Sequence, residues 1–280
     1  MPSTTGNAPM TRDDPAGDLR LRAPGSAVIA EALRVQALAP PQSRLARMFG
    51  RSPLSADAEA WYLGAIGELE VARMLTQLGP DWHALHAVPI GVRGSDIDHI
   101  VIGPGGVFTI NAKYHEGARI WVGSRRLLVS GHKTDHVRNA ATEARRVSKV
   151  LSGALHRPLE VNALIVIIAA RALTVKEAPA TVTVLRSDSL VRWLRRRPVV
   201  HSAADVEEIA ATAARRSTWG AQELVTANLP AFEALRATVG AARRRRRLWA
   251  VGGLTGFAGL GVAAYGLLPL LPAALPGLLP

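Results

Sequence analysis

The sequence contains no cysteine. Thiol nucleophiles, disulfide bonds and cysteine-ligated zinc sites are therefore excluded. It also lacks a Gly-Lys-Ser phosphate-binding loop and a Gly-X-Ser-X-Gly nucleophile elbow, which removes support for nucleotide-driven and serine-hydrolase functions. No apolar stretch of signal-peptide type follows the start, so we expect no export by that route.

Charge is absent from the C-terminal segment 248–280. Its first part, 248–268, is mostly apolar and is long enough to span a bilayer at ~1.5 Å per residue. Trp249 and Tyr265 stand near its two ends, as interfacial aromatics do. The segment predicts a single-pass anchor in the cell membrane with the N-terminal domain cytoplasmic, since positive charge precedes it. The alternative is a buried core helix.

The formal net charge is +12. Such a balance favours polyanionic partners, either nucleic acid or anionic lipid. One cluster lies directly before the apolar segment, where it would contact anionic lipid, and consists of Arg243, Arg244, Arg245, Arg246 and Arg247. The second cluster consists of Arg192, Arg195, Arg196 and Arg197.

A chain of 280 residues with 48% hydrophobic composition allows one sizeable core plus appendages. We expect six segments: a disordered N-terminus over 1–25, a helical lead-in over 26–53, a central α/β core over 54–155, a C-terminal α/β extension over 156–240, a basic run over 241–247, and the anchor with its apolar tail over 248–280.

Periodicity predicts an α/β fold with a mixed sheet flanked by helices, plus the C-terminal transmembrane helix. Ser55, Ser187 and Ser202 are predicted helix N-caps, the last in a capping-box pattern. Helices are expected over 26–38, from 55 to about 79, and over 132–151. Strands are expected over 119–122, 127–130, 161–169 and 182–185.

The central stretch from Ser95 to Lys113 predicts two antiparallel strands joined by the turn 103–106, whose proline and glycines suit a tight reversal. Alternation places Asp96 and Asp98 on one face of the first strand. On the second strand, Asn111 and Lys113 share a face. A carboxylate would then lie beside an amide and a lysine, which is the arrangement of a metal site with an adjacent cation.

Each of these residues also has a simpler interpretation. Asp98 at a strand start could be a turn residue, and Lys113 an exposed strand-end lysine. Asp96 is interpreted as a solvated loop carboxylate rather than a ligand. His99 points to the face opposite Asp98, which favours a packed or hydrogen-bonded histidine over a metal ligand.

Glu68 interrupts an apolar helical face. A carboxylate at such a position is costly unless it pairs with a metal or with a cation such as an arginine. Gly64 and Gly67 are poor helix formers and indicate a close approach of this helix to the sheet. The apolar residues at helical spacing from Glu68 are Trp61, Ala65, Ala72 and Leu75.

Three pieces of the chain together resemble the nuclease-related domain (NERD) family, a branch of the PD-(D/E)XK nuclease superfamily. The first piece is Gly64-Ala-Ile-Gly-Glu68. The second consists of Ile-Asp-His at 97–99, the turn Gly-Pro-Gly-Gly-Val at 103–107 and Asn-Ala-Lys at 111–113. The third, Val137-Arg-Asn-Ala-Ala-Thr-Glu143, matches less strictly. The resemblance covers about residues 58–155. It implies a restriction-endonuclease-like fold and a metal-dependent nuclease acting on DNA or RNA.

Matched position by position, the resemblance implies that Asp98, Lys113 and Glu68 are catalytic. It implies that Asp98, Asn111 and Glu68 hold Mg²⁺ or Mn²⁺. Asn111 departs from the family pattern, which has an acidic residue there, and would be a neutral ligand. The alternatives are a catalytically impaired module that binds nucleic acid or protein at the cytoplasmic membrane face, and a scaffold whose arginines bind only anionic lipid.

The helix predicted over 132–151 is basic along its flanks and lies next in the chain after the candidate site. Such a helix could contact the phosphate backbone, or its charges could form an ordinary solvated face. The oligomeric state is left open by the sequence. The candidate nucleic-acid contacts are Arg138, Arg145, Arg146 and Lys149.

Overall fold

The computed structural model describes residues 17–90, 96–220 and 224–267, with side chains up to Gly252. Of the segment 1–25 that we expected to be disordered, residues 1–16 lie outside the described residues, whereas Leu19–Leu21 form a 3₁₀ turn in which Leu19 is buried. The chain divides into two compact units. The larger comprises the residues up to Arg34 together with Asp57–Asn228, and the smaller comprises Val35–Ala56 together with the residues from Leu229 onward.

Seven α-helices occur in the described residues. Helix α6 begins after Ser202, as the sequence predicts. The Ser202 hydroxyl accepts a hydrogen bond from the Asp205 N–H, and the Asp205 carboxylate accepts one from the Ser202 N–H, which together form a capping box. The helices are α1 (Ser26–Ala37), α2 (Arg44–Met48), α3 (Ala56–Leu75), α4 (His136–Leu155), α5 (Leu190–Arg195), α6 (Ala203–Ala214) and α7 (Leu229–Leu267).

A five-stranded mixed sheet forms the centre of the larger unit. Its strands are β1 (His83–Pro89), β2 (Asp96–Gly103), β3 (Gly106–Tyr114), β7 (Val161–Ile168) and β9 (Val182–Arg186), in the spatial order β1-β2-β3-β7-β9. The first two pairings are antiparallel, whereas β3 pairs with β7 and β7 with β9 in parallel. The expected α/β class with a mixed sheet flanked by helices is confirmed.

A second, four-stranded sheet continues from the carboxyl ends of β3 and β7. It contains β4 (Arg119–Val122), β5 (Leu127–Val129), β6 (His132–Thr134) and β8 (Ala172–Val175), in the order β6-β5-β4-β8. Strands β4 and β8 run parallel, because β4 follows β3 and β8 follows β7, and these two predecessors are themselves parallel.

The central hairpin forms with the register expected from its turn. Ile102 pairs with Val107 and Gly103 with Gly106 in the antiparallel β2–β3 ladder. Gly106 has a φ of 128°, a conformation that a residue with a Cβ adopts only with strain. The tight reversal fixes which residues of the two strands lie opposite each other, so it also fixes the site at the far end of the hairpin.

Two apolar layers cover the central sheet. On one face, Ile100 and Ile102 belong to a core cluster that includes Val147 and Leu151 of α4. On the other face, Val101 belongs to a cluster with residues of α3 and α5. Strand β7 is apolar from Ala163 to Ile168, because these residues contribute alternate side chains to two core clusters.

Three local predictions differ from the structure. Residues 132–134 form strand β6, paired with β5, so α4 begins four residues later than expected, at His136. Helix α3 ends at Leu75 rather than near residue 79. Ser187 does not cap a helix: it lies within a 3₁₀ turn, Ser187–Ser189, whose N-cap is Arg186.

The smaller unit pairs the segment around α2 with the long C-terminal helix. The rings of Phe49 and Trp249 lie 5.1 Å apart between centroids. Trp249 Nε1 donates to the carbonyl of Met48 at 2.9 Å, and Arg245 Nη1 donates to the carbonyl of Arg47 at 2.8 Å. At least one arginine of the basic run is therefore engaged within the protein.

The membrane anchor that we expected over 248–268 is not supported. Within the part of the chain that the structure describes, no helix combines the length and the apolar character that crossing a bilayer requires. The side chains of residues 253–267 and all of residues 268–280, on which much of that prediction depended, lie outside the described residues. The lipid contact expected of the neighbouring arginines likewise has no support.

Candidate active site

The hairpin brings the predicted strand residues together. The β2–β3 ladder ends at the pair His99–Ile110, so Asp98 and Asn111 are the next residue on each strand. Helix α3 adds Glu68, and helix α4 adds Glu143. The site therefore combines an edge of the central hairpin with one helix from each layer.

Asp98 is partly buried and is held by the backbone of the neighbouring strand. Its Oδ2 accepts a hydrogen bond from the Ala112 N–H at 2.7 Å. Burial raises the pKa of Asp98, while the positive charge of Lys113 and this backbone hydrogen bond lower it. The carboxylate is thus fixed in direction and placed within the electrostatic reach of Lys113.

Asn111 is buried and bonds to a carboxylate from another element. Its Nδ2 donates to Oε2 of Glu143 at 2.9 Å. Its other polar atom, Oδ1, is buried and has no hydrogen-bond partner. An orphaned oxygen of this kind is costly and is free to coordinate a cation.

Glu143 was missed as a site residue by the sequence reasoning, although it ended the third piece of the family resemblance. Burial raises its pKa, the Asn111 hydrogen bond lowers it and the charge of Asp98 raises it again. The hydrogen bond places an acidic group next to the position where the family pattern has one and this chain has Asn111. The signal that could have found it is its place on the inward face of α4, three residues after Ala140 and four before Val147, both buried.

Glu68 is buried, with only 7% of its surface exposed. Its pKa lies well above the usual 4.5, first because of burial and next because of the charge of Asp98; Lys113 and the backbone N–H of Gly25 lower it. Among the described residues no arginine contributes to this shift, so an ion pair with arginine is not what holds this carboxylate.

The apolar face around Glu68 forms largely as predicted. Ala65, Ala72 and Leu75 are buried, but Trp61 is 42% exposed. Trp61 instead lines an open cavity of about 620 Å³ whose wall includes Glu68, Asp96 and Asp98. The cavity gives the carboxylate cluster access to solvent and to ligands.

A close approach of α3 to the sheet is confirmed at one of the two glycines. A Cβ on Gly67 would lie 3.3 Å from Cβ of Tyr114 on β3 and 3.4 Å from Cδ1 of Ile168 on β7. The nearest atom to a Cβ on Gly64 is Cγ1 of Val28, on α1, at 4.0 Å. Gly67 therefore seats the helix on the sheet directly before Glu68.

The interpretation of Asp96 as a solvated loop residue is wrong. Asp96 is the first residue of β2, and its Oδ2 lies 3.1 Å from Arg22 Nη2 in a largely buried ion pair. Burial raises the pKa of Asp96, and Arg22 partly offsets this effect. The arginine partner occupies Asp96, which leaves Asp98 as the carboxylate of β2 available to a ligand.

His99 is a packed and hydrogen-bonded histidine, as expected. It is fully buried, and its Nδ1 lies 2.8 Å from Nδ1 of His86 on β1. Burial lowers the pKa of both histidines, that of His86 to about 4. The pair is neutral near pH 7, so one ring donates and the other accepts.

The predicted basic residues of α4 lie on its solvent side. All four are exposed. Arg138 forms an ion pair with Asp135 at 3.1 Å, and Arg145 donates to Thr142 at 2.9 Å. Their exposure permits contact with a phosphate backbone, and it is equally typical of a solvated helix face.

The donor set around Asp98 fits a hard divalent cation only in part. Among the described residues, no three His, Asp or Glu side chains converge closely enough to hold a metal ion by themselves. The orphaned Asn111 Oδ1 and three carboxylates whose pKa values are raised by burial nonetheless favour a cation here. Mg²⁺ suits such a sparse set because it retains several waters and needs few protein ligands.

Residues 63–168 match the family model described as a nuclease-related domain (NERD). This range starts before Glu68 on α3 and ends with β7, so it contains Asp98, Asn111, Lys113 and Glu143. No curated protein and no solved structure matches the chain. The class that fold and site define is therefore an α/β domain with a nuclease-related region.

Proposed function

We propose that the larger unit is a restriction-endonuclease-like, metal-dependent phosphodiester hydrolase that acts on DNA or RNA. The observation that carries this proposal is the Asn111–Glu143 hydrogen bond beside Asp98. It supplies a second carboxylate at the point where the chain has lost an acidic residue. The nuclease-related match to residues 63–168 is compatible with this function.

Asp98, Asn111 and Glu143 would hold Mg²⁺ or Mn²⁺, and Glu68 would contribute directly or through a water. When bound, the ion would polarise the phosphodiester and lower the pKa of a water. The charge of Asp98 raises the pKa of Glu68 in the ion's absence. Binding of a cation would therefore offset the repulsion between the Asp98 and Glu68 carboxylates.

Lys113 lies on the same face of β3 as Asn111. Its positive charge acts on Asp98, Glu68 and Glu143. In the proposed reaction, its ammonium group orients the attacking water or stabilises the charge that grows on the phosphate. Both roles require a cation at this end of the hairpin.

A second candidate function is a nucleic-acid-binding module that does not cleave. It is favoured by the lack of any convergent group of three metal-ligating side chains among the described residues. In that case the Asn111–Glu143 hydrogen bond would be a structural substitute for a lost metal site, and the domain would bind phosphates through its positive charge alone.

The test is a cleavage assay with end-labelled single- and double-stranded DNA and RNA, in Mg²⁺, in Mn²⁺ and in EDTA. We expect cleavage only with a metal. Asp98→Asn, Glu143→Gln and Lys113→Met should each lower the rate on the order of 100-fold or more, since each removes a group that acts on the reacting phosphate or its ligand.

The matched control is Glu59→Gln, an exposed carboxylate on the same helix as Glu68, which should leave the rate unchanged. Cleavage that persists in EDTA, or full activity in Asp98→Asn, would show that the proposed site is wrong. If no substrate is cut under any condition while nucleic-acid affinity remains, the binding module is the correct function.

A further inference from the structure

The second sheet has one buried face and one open face. Ile120 and Val122 of β4 and Leu127 of β5 are buried in a cluster with residues of α4. Arg119 and Trp121 alternate with them on β4 and are exposed. The side of the sheet that does not pack against α4 therefore presents a tryptophan and an arginine on one strand.

Trp121 is the aromatic residue of this open face, and 44% of its surface is exposed. Nζ of Lys176, just after β8, lies 5.0 Å from the centroid of its ring. A cation in this position is attracted to the ring face. The ring therefore lies at the surface with the Lys176 ammonium against it and is not part of the core.

The residues next to Trp121 form a row across the sheet. Trp121 pairs with Leu128 of β5, and Leu128 pairs with Lys133 of β6. On the other side Trp121 pairs with Thr174 of β8. Directly paired residues point to the same face, so an aromatic ring and an exposed ammonium group lie on one surface with a partly exposed leucine between them.

Positive charge predominates in this region. Residues 119–134 contain four basic side chains and no acidic one. Two of them, Arg125 and Arg126, are exposed in the turn between β4 and β5. Arg171 and Lys176 add positive charge beside β8, where Glu177 is the one acidic neighbour in 171–177.

The open face lies close to the candidate active site along the chain. Lys113 on β3 and Arg119 on β4 are six residues apart, which limits their separation to ~20 Å even for an extended chain. The backbone between them is bonded to the last residue of β7 and to the residue after it, since His115 N–H donates to the Ile168 carbonyl at 3.0 Å and Gly117 N–H to the Ala169 carbonyl at 2.9 Å.

We propose that this open face, formed by Arg119, Trp121, Lys133 and Lys176, binds single-stranded nucleic acid. An unpaired base stacks on Trp121, and the basic side chains contact the phosphates on either side of it. Stacking on an exposed aromatic ring within a positive groove is how proteins bind single strands without reading their sequence. The inference rests on the proposed function for its choice of ligand, and it assigns that ligand a surface outside the catalytic cluster.

The composition of the surface argues for a nucleic acid over a membrane. Insertion into lipid requires several protruding apolar side chains beside the basic ones, whereas the large apolar side chain at the centre of this face is a single tryptophan. A single strand is favoured over a duplex because the bases of a duplex are already stacked and do not offer a ring face.

The test measures fluorescence anisotropy of a short labelled oligothymidylate and of a labelled duplex, with the full chain in EDTA so that cleavage plays no part. Trp121→Ala should weaken single-strand binding about tenfold, which corresponds to the lower part of the range for one stacked base. It should change duplex binding by less than about twofold, since no base stacks on Trp121 there. Trp121→Phe should keep most of the affinity, because it keeps an aromatic face.

Two further variants separate the contributions. Lys133→Glu should weaken binding of the single strand and lower its dependence on salt, since it removes a phosphate contact. Trp249→Ala is the matched control, an exposed tryptophan of the smaller unit, and should leave binding unchanged. Folding of each variant is checked by its thermal melt.

The inference is overturned if Trp121→Ala leaves single-strand affinity unchanged, if it weakens duplex and single strand equally, or if the wild type binds anionic phosphatidylserine vesicles through Trp121 and no oligonucleotide. The proposed function fails separately. A protein that never cleaves but loses single-strand binding with Trp121→Ala retains this surface and is not a nuclease. A protein that cleaves with an unchanged KM after Trp121→Ala is a nuclease without this surface.

Discussion

Asn111 on β3 donates one hydrogen bond of 2.9 Å to Glu143 on α4, which places a carboxylate beside a strand position that holds a neutral amide. The amide keeps the carboxylate in place without adding a second negative charge. The cost is an amide oxygen that has no partner in the protein. A single substitution at Asn111 therefore changes the charge beside Glu143, and such a substitution is the most direct test of a cation site.

Asn111→Asp should lower stability without metal and increase the response to metal. The substitution replaces a donor with a second carboxylate at hydrogen-bond distance from Glu143, so we expect a loss of about 1–3 kcal/mol in EDTA. A cation would offset the repulsion, and the rise in Tm on adding Mn²⁺ should exceed that of the wild type. Thermal melts across a Mn²⁺ titration measure both effects. An unchanged Mn²⁺ response would mean that no ion binds at Asn111.

Glu68→Gln tests the buried carboxylate of α3 through the pH dependence of stability. The pKa of Glu68 in the folded protein lies above its usual 4.5, so the folded protein binds this proton more tightly than the unfolded chain. Its contribution to stability is therefore present at low pH and is lost as the pH rises from about 4.5 through the raised value.

The Gln variant should consequently melt a few degrees above the wild type at neutral pH in EDTA, and this advantage should vanish below pH 4.5. Its Tm should also respond less to Mn²⁺. Glu59→Gln, on the exposed part of the same helix, should show neither change. A Gln variant that melts well below the wild type at neutral pH would show that the charge of Glu68 stabilises the fold.

Helix α3 positions Glu68 through a close contact with two strands. Gly67 permits the approach, because any Cβ there would meet Tyr114 and Ile168 within 3.4 Å. Gly64, one turn earlier, has no such neighbour within 3.9 Å of the corresponding position. Gly67 therefore permits a close contact between the helix and the sheet, whereas no close contact requires a glycine at Gly64.

Gly67→Ala should destabilise the protein by about 1–3 kcal/mol, since the added methyl overpacks the contact with β3 and β7. It should also reduce any metal-dependent activity, because the shift of the helix moves Glu68. Gly64→Ala is the matched substitution and should stabilise the protein by up to about 1 kcal/mol through helix propensity. Chemical denaturation of both variants measures the two changes in the free energy of unfolding. Equal effects of the two substitutions would contradict the role of Gly67.

On the scale of the whole molecule, the net charge of +12 provides more phosphate contacts than any one site. Basic residues lie exposed on α4, on the open face of the second sheet and on α5 and its following turn. Affinity for nucleic acid and catalysis on it should therefore depend on different residues.

Lys113→Met should abolish metal-dependent cleavage while preserving most of the affinity. Removing one cation among many lowers the slope of log affinity against log salt by no more than about one. Binding titrations at several salt concentrations, together with cleavage rates, separate the two effects. A collapse of affinity in this variant would place the main phosphate contact at Lys113 itself.

Local pattern determined much of the architecture. The hairpin, its turn, the apolar strand β7 and the Ser202 cap all follow from signals contained within a few residues, since a tight turn and a capping box are formed by neighbours in the chain. The proximity of Asp98 and Asn111 follows as well, because they are the next residues after the last pair, His99–Ile110, of a register that the turn sets. Strand β6 was not predicted from local pattern, because its three residues form a strand through their pairing with β5.

Only the tertiary structure showed that Glu143 lies beside Asn111 and that Asp96 is paired with Arg22. Glu143 reaches Asn111 from a helix 32 residues later, and Arg22 reaches Asp96 across 74 residues. No spacing rule predicts such partners, because helix and strand periods specify the direction of a side chain but not what it meets. Composition and spacing fixed the kind of chemistry available to this chain, and the packing of α3, α4 and the segment around Arg22 on the sheet determined which residues can carry it out.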